Sequence, residues 1–264
     1  HGTMESYTSA KTNILRYQTE RDVAVLGYDD SGSYGLQEDI RGDLMWFSSG
    51  GMVSDGAFSM GRRLMLVGEA NPAGGAAMIC ERDEIPLRGD HNVLNVLAAC
   101  AAAGAVGVSV DAMRDTVMTF SGVAHRLELV RELDDVSYIN DSIATAPERV
   151  LAALKSYEEP LVLLLGGADK KLPWGEMLQV AVRKSRKIIA FGGNAADIAV
   201  QTLAEMDASE IVERVETLEE AVAAARLAAK AGDVVLLSPG GTSYDAYTDF
   251  AARGVHFREL IGAL

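Results

Sequence analysis

Residues 161–193 read LVLLLGGADKKLPWGEMLQVAVRKSRKIIAFGG. Two short apolar runs, Leu161–Leu165 and Lys187–Phe191, flank a stretch near 174–184 with helical spacing. A strand with one wet face alternates apolar and polar residues. A continuous apolar run instead marks a strand covered on both faces. Working outward, the alternation continues. On the amino side lie Val136–Ile139 and a helix from Ala146. On the carboxyl side come a helix near 195–204, Ile211–Val215, a helix near 218–230, Val234–Leu237 and a final helix near 244–262. Strand and helix in strict turn predict an α/β, Rossmann-like domain with a mostly parallel sheet and helices on both sides.

The first half reads differently. Met4, Tyr7, Ala10, Ile14 and Leu15 have the spacing of one helix face. Val23–Leu26 is a short buried-strand signal closed by Gly27 and the turn-like Asp29-Asp30. Residues 31–90 are rich in Gly and Ser, with strand candidates near 44–47, 63–67 and 76–80. Asp90 is placed to cap the Ala-rich helix HNVLNVLAACAAAGA, and a second helix is expected near 111–119. Phe120-Ser121-Gly122-Val123 breaks the pattern, so two domains are expected, 1–121 and 122–264.

The chain's 264 residues are comfortable for two domains, and 48% apolar with 23% charged residues suits a folded globular protein. A formal net charge of −14 argues against a nucleic-acid partner. No apolar run is long enough to cross a bilayer, and no signal peptide opens the chain, so no membrane partner and a cytoplasmic location are expected. Cys80 and Cys100 sit in apolar surroundings without metal-type spacing and read as core residues. The first residue is His1, and the opening segment reads as the interior of something, so a fragment of a longer protein is expected.

Three strands end in paired glycines: LLLGGADKK, IIAFGGNAAD and VVLLSPGGTSYD. The carboxyl ends of strands in an open α/β sheet line the ligand crevice, and glycine there lets backbone approach a ligand. Any one pair is better explained as a tight turn; three at one edge favour a binding surface for a carboxylate or phosphate. No G-x-x-x-x-G-K-[ST] loop occurs, no His/Cys cluster has zinc spacing, and no G-x-S-x-G elbow is present. Asn92 and Asn95 share the face of a helix start, where they suit either the edge of a base or capping. His125 and Arg126 follow the domain break, and the guanidinium there can stack on a base, grip a phosphate or form an interdomain ion pair. Asp141, at the end of the strand Val136–Ile139, can accept from a ribose hydroxyl. Thr145-Ala146-Pro147-Glu148 has the form of a capping box. Lys170 follows a glycine pair as a point charge for a carboxylate or as a solvated lysine, with Asp169 beside it.

Taken together, LRGDHNVLNVLAACAAAG, FSGVAHRLE, YINDSIATAP, LLLGGADKK and LLSPGGTSYDAYTDFAARGVHFREL, in that order, resemble the Mur ligase family. The last segment is similar to the D-glutamate-adding branch. The resemblance implies the remainder of a P-loop-type central ATPase domain, its phosphate loop lying upstream, followed by a Rossmann-like amino-acid-binding domain. It implies ATP and Mg2+ as cofactors, UDP-N-acetylmuramoyl-L-alanine and D-glutamate as substrates, an acyl-phosphate intermediate, and a monomer. A fragment of this kind is expected to be inactive alone. Carried over, Lys11 in its Tyr-x-x-Ala-Lys setting matches a catalytic lysine that ligates metal when carbamylated. Asn92, Asn95, His125, Arg126 and Asp141 match nucleotide contacts. Thr145, Lys170, Ser243, Tyr244 and Phe250 match positions around the amino acid. Ile143 stands where the family pattern has lysine, and Ala146 replaces a polar side chain. Rival readings are another member of the superfamily, such as a folylpolyglutamate synthase, or a non-catalytic nucleotide-binding relative.

Overall fold

In a computed structural model, residues 3–264 are described, and the chain divides into two compact units, His1–Phe120 and Ser121–Leu264. His1 and the side chain of Met4 lie outside what is described.

The first unit opens with α1 (Met4–Lys11), capped by Thr3, whose hydroxyl accepts from the Ser6 amide at 3.2 Å. The helix stops there; α2 (Asn13–Arg16) is a separate turn. The single apolar face expected through Leu15 is not buried: Leu15 is, while Tyr7 and Ile14 are exposed. Then come β1 (Val23–Gly27), α3 (Ser31–Tyr34), β2 (Asp43–Ser48), β3 (Gly56–Met60), β4 (Arg63–Val67) and β5 (Ala77–Glu81). They form one sheet in the order β1-β2-β3-β4-β5. The first three are parallel and the last two antiparallel. β3, which the Gly- and Ser-rich composition hid, is the parallel neighbour of β2.

α4 (Asp90–Ala105) packs its Val93, Val96, Leu97, Cys100 and Ala101 into a core with Met45, Leu64, Leu66 and Ile79. Gly104 brings it close to the chain, since a Cβ there would lie 2.1 Å from the Ala70 carbonyl oxygen. Asp90 does not cap α4. The capping position belongs to Gly89 at φ +86°, a value that suits glycine, and Asp90 is the first helical residue. There its carboxylate complements the amino end of the helix axis. α5 (Val110–Thr119) follows, capped by Ser109.

The second unit is a six-stranded sheet. Its strands are β6 (Glu128–Leu133), β7 (Val136–Asn140), β8 (Leu161–Gly166), β9 (Ser185–Phe191), β10 (Val212–Val215) and β11 (Val234–Gly240), in the order β10-β9-β8-β11-β7-β6. Five strands are parallel. β6 is the unexpected addition, antiparallel to β7 across a tight turn in which Asp134 and Asp135 both take positive φ, +55° and +58°. α6 (Pro147–Lys155), α7 (Gly175–Lys184) and α8 (Asn194–Glu205) cover one face, packing on Leu161, Leu163 and Leu165. α9 (Leu218–Ala228) and α10 (Phe250–Gly262) cover the other, packing on Val162 and Leu164. Alternate residues of one strand serve opposite cores, which is why β8 is apolar throughout.

Two helix starts differ from expectation. The final helix begins at Phe250, not near 244, because Asp249 caps it by accepting from the Ala252 amide at 2.7 Å. The Thr145–Glu148 capping box does not form. Ala146 is the capping residue of α6 without a side-chain bond, and Pro147 supplies the first-turn geometry. The Thr145 hydroxyl is engaged elsewhere, accepting from Lys170.

Candidate functional site

The parallel strands β7, β8, β9 and β11 all end at one edge of the second sheet, the edge at which open α/β sheets hold ligands. The three glycine pairs meet there. A Cβ on Gly241 would lie 2.5 Å from the Gly166 carbonyl oxygen, and one on Gly193 would lie 2.9 Å from that of Gly167. The Ala168 and Thr242 amides and carbonyls exchange bonds of 2.8 Å across the loops after β8 and β11. Lack of side chains therefore lets turn pack on turn, which fixes the residues beyond them.

Lys170 and Thr145 come together from different loops: the Lys170 ammonium donates to the Thr145 hydroxyl at 3.0 Å. Lys170 is exposed at its turn, so its charge faces solvent. Asp169 serves that turn, accepting from Trp174 Nε1 at 3.0 Å and from the Lys171 amide at 2.8 Å. Phe250 begins α10. Its carbonyl accepts from the Ser142 hydroxyl at 2.7 Å, and its ring stands edge-on to His125 with centroids 6.3 Å apart. Ser243 is buried and Tyr244 is 75% exposed in the loop before α10. The hydrogen bond of Lys170 goes to Thr145 and not to Ser243 or Tyr244.

Asp141 is buried at the end of β7, and both carboxylate oxygens face inward. One accepts from the Ser238 hydroxyl at 2.8 Å and the other from the Leu127 amide at 3.2 Å. Burial raises its pKa to about 7, against the opposing pull of those bonds and of Arg126 and Arg149. His125 is also buried, at φ +65°, with Leu127 at +46°, a strained segment for side-chain-bearing residues. Its Nδ1 lies 3.0 Å from Asn140 Nδ2 and its Nε2 3.3 Å from an Arg258 guanidinium nitrogen. Burial and then the Arg258 charge lower the His125 pKa, with Glu128 and Asp249 opposing. Arg126 is exposed.

In the first unit, Asn95 Nδ2 donates to Asn92 Oδ1 at 3.1 Å, and Asn92 Nδ2 donates to the Arg88 carbonyl at 2.7 Å. The pair expected from spacing exists, and Asn92 also ties down the chain entering the helix. Lys11 is exposed, its ammonium 5.5 Å from the Tyr7 ring centroid. Among the described residues, no three His, Cys, Asp or Glu side chains gather as a metal cluster.

Sequence reasoning missed two side chains. Arg253, 1% exposed, donates Nε to the Ser142 hydroxyl at 3.0 Å. Its other nitrogens donate to the Ser142 and Gly241 carbonyls at 2.9 and 3.3 Å. It joins the loops after β7 and β11, and burial lowers its pKa to about 10. A signal existed: Arg253, Phe257 and Ile261 recur at four-residue spacing, which puts the arginine on the buried stripe. Asn140 is fully buried; its Nδ2 donates to Glu128 at 3.0 Å and to the Gly254 carbonyl at 3.2 Å, and its Oδ1 accepts from the Ser142 amide at 3.2 Å.

Residues 125–241 match the family described as "Mur ligase, glutamate ligase domain", and residues 1–103 match "Mur ligase middle domain". The chain is 39% identical over 269 residues to the UDP-N-acetylmuramoylalanine–D-glutamate ligase of Roseiflexus sp. (strain RS-1), covering 99% of this chain and 57% of that protein. It is 38% identical to the ligase of the same name from Pelotomaculum thermopropionicum, covering 100% of this chain and 57% of that one. The chain thus spans little more than half the length of these relatives. Among solved structures, the folylpolyglutamate synthase of Mycobacterium tuberculosis complexed with ADP superposes with a TM-score of 0.71 at 16% identity, over 98% of this chain and 60% of that one. The MurF ligase of Thermotoga maritima in complex with ADP superposes with a TM-score of 0.64 at 17% identity, over 99% and 58%. At those identities the likeness is one of fold.

Proposed function

Since the chain belongs to the Mur ligase family, we propose that its residues form the amino-acid side of an ATP-dependent ligase that joins D-glutamate to UDP-N-acetylmuramoyl-L-alanine in peptidoglycan synthesis. The observation that carries this is the Lys170–Thr145 pair at the carboxyl edge of the sheet, in a chain 35–39% identical to D-glutamate ligases. An exposed ammonium on a hydroxyl, near a loop bearing Ser243 and Tyr244, supplies the cation and the donors that a small dicarboxylate requires.

In this reading Lys170 binds a carboxylate of D-glutamate, Thr145 orients the ammonium of Lys170, and Ser243, Tyr244 and Phe250 form the wall. Asn92 and Asn95 in the first unit, and His125 and Arg126 in the second, are each proposed as nucleotide contacts. ATP, when bound, supplies the phosphoryl group that activates the acceptor carboxylate. His125, kept neutral at pH 7 by burial and by Arg258, adds no charge to an anionic ligand. Asp141 is 4% exposed, so it does not fit a ribose contact as it stands; accepting from Ser238 and Leu127, it holds the turn after β7. Among the described residues, no carboxylate and histidine cluster is placed to cage Mg2+. Lys11 is the one residue here proposed to reach the metal, as its carbamate, which converts a cation into an oxygen ligand.

Titration of the chain with D-glutamate and L-glutamate, followed by amide shifts and calorimetry, tests the amino-acid side. D-glutamate is expected to bind more tightly, with shifts centred on Thr145, Lys170 and Ser243. Lys170→Ala is expected to weaken it by at least tenfold, on the order of the 1.5–3 kcal/mol of a charge-assisted bond. Equal response to both enantiomers, or no effect of the substitution, defeats the reading.

A further inference from the structure

A group of titratable side chains stands apart from that site. Tyr247, in the loop joining β11 to α10, has its hydroxyl 2.8 Å from His256 Nδ1, and His256 Nε2 lies 3.4 Å from a Glu219 oxygen. The three come from the loop, α10 and α9. The hydrogen bond of this group is the one between the Tyr247 hydroxyl and His256 Nδ1, and Glu219 stands beside the ring as a charge. In the tautomer that carries its proton on Nε2, Nδ1 accepts and Tyr247 donates its hydroxyl to it.

Behind the loop is a cavity of about 300 Å³, lined by Phe191, Leu218, Asp245, Tyr247, Arg253 and His256 among others. Tyr244, Asp245 and Ala246 are exposed on its outer side. The tip of this segment, Tyr244–Ala246, has solvent on one side, while Tyr247 packs its ring against the core that includes Leu218 and Phe257. Polar ties add to that packing: the Gly193 amide to Asp245 at 3.0 Å, the backbone exchange of Ala168 with Thr242, and the Tyr247–His256 bond with Glu219 beside the ring. The Tyr247 amide in turn donates to the Ser243 carbonyl at 2.8 Å, so the tyrosine and the serine move as one turn.

We infer that Tyr247, oriented by His256 and Glu219, is a positioning residue that sets the β11–α10 loop, and with it Ser243 and Tyr244, for the amino acid. The inference rests on the proposed function in naming D-glutamate as the ligand that feels the loop, but not in assigning the Tyr247–His256 bond's effect on the loop itself.

The test uses the 264-residue chain and four variants: Tyr247→Phe, His256→Ala, His256→Asn and the Tyr247→Phe/His256→Ala double. An asparagine amide can take the Tyr247 bond in place of Nδ1; alanine cannot. D-glutamate affinity is expected to fall roughly fivefold, as for one lost hydrogen bond, in Tyr247→Phe and in His256→Ala. The double variant is expected to fall no further, because both changes break one bond. His256→Asn is expected to retain wild-type affinity. In parallel, the Ser243 and Tyr244 amide resonances are expected to shift in the first two variants and not in His256→Asn, a pattern that general destabilisation does not produce. If those resonances stay put in Tyr247→Phe, the bond does not position the loop and the inference is overturned. If they move while wild type takes no D-glutamate, the bond's role stands and the amino-acid reading is what fails. Should His256→Ala not fold, Tyr247→Phe and His256→Asn carry the same comparison.

Discussion

Asp141 puts a carboxylate where water hardly reaches, and the pH dependence of folding follows from that. Its pKa is about 7 in the fold, raised by burial, against roughly 3.9 for an unfolded aspartate. Between about pH 4 and 7 the folded chain therefore keeps a proton that the unfolded chain has released. Stability contributed by this group falls as pH rises through that window and is level above it, opposite to the usual salt-bridged aspartate. Asp141→Asn removes the titration while an amide can still accept from Leu127 and donate to Ser238. Wild type is expected to lose on the order of 2 kcal/mol between pH 5 and pH 8 through this group, and Asp141→Asn to lack that part of the slope. Urea unfolding at the two pH values measures it; parallel slopes in the two proteins would falsify the assignment. The sequence placed Asp141 at the end of its strand but not the direction of its oxygens. Direction depends on Ser238, 97 residues away along the chain, and such a partner leaves no local pattern.

The turns that end β8, β9 and β11 show what spacing reveals and what it conceals. Apolar runs followed by paired glycines were legible as strands with turns at one edge, because a parallel strand buried on both faces has no polar positions to spare. That the glycines serve contact between turns was not legible, since it requires knowing that β8 neighbours both β9 and β11. The same limit hid β6, whose mixed sequence Glu128–Leu133 suits an outer strand, and the late start of α10, which a single aspartate decides. The Thr145–Lys170 pairing also joins loops 25 residues apart; each residue was legible as a candidate, but the partner was not. Two glycines separate the readings. A Cβ on Gly241 would press to 2.5 Å on the Gly166 carbonyl oxygen, a backbone atom that cannot swing away, whereas one on Gly175 at the start of α7 would meet nothing within 4 Å. Gly241→Ala is expected to destabilise by about 1–3 kcal/mol through overpacking. Gly175→Ala is expected to be neutral or to stabilise by up to about 1 kcal/mol, by restricting the unfolded chain. Thermal melts of the two variants check the contrast, and equal melting temperatures would remove the role given to the turns.

At the scale of the chain, each unit keeps its apolar clusters to itself. In the second, Leu161, Leu163 and Leu165 face α6, α7 and α8, while Val162 and Leu164 face α9 and α10, and every member of both clusters falls between 127 and 264. The polar ties of its ligand edge are equally internal: Arg253 to Ser142 and Gly241, Asn140 to Glu128 and Gly254, Lys170 to Thr145. A sheet with both faces covered and its loop ties complete has what a domain needs to fold alone. Residues 121–264 produced separately are therefore expected to give dispersed amide spectra and one cooperative urea transition. The shifts of Thr145, Lys170, Ser243 and Tyr244 are expected to match those in the whole chain, since their partners are all retained. D-glutamate is then expected to bind the separate unit within about twofold of the whole chain, a difference under 0.5 kcal/mol. A collapsed spectrum would show that the second unit depends on residues before 121, and a tenfold loss of D-glutamate affinity with the spectrum intact would show that the amino-acid side draws on the first unit as well.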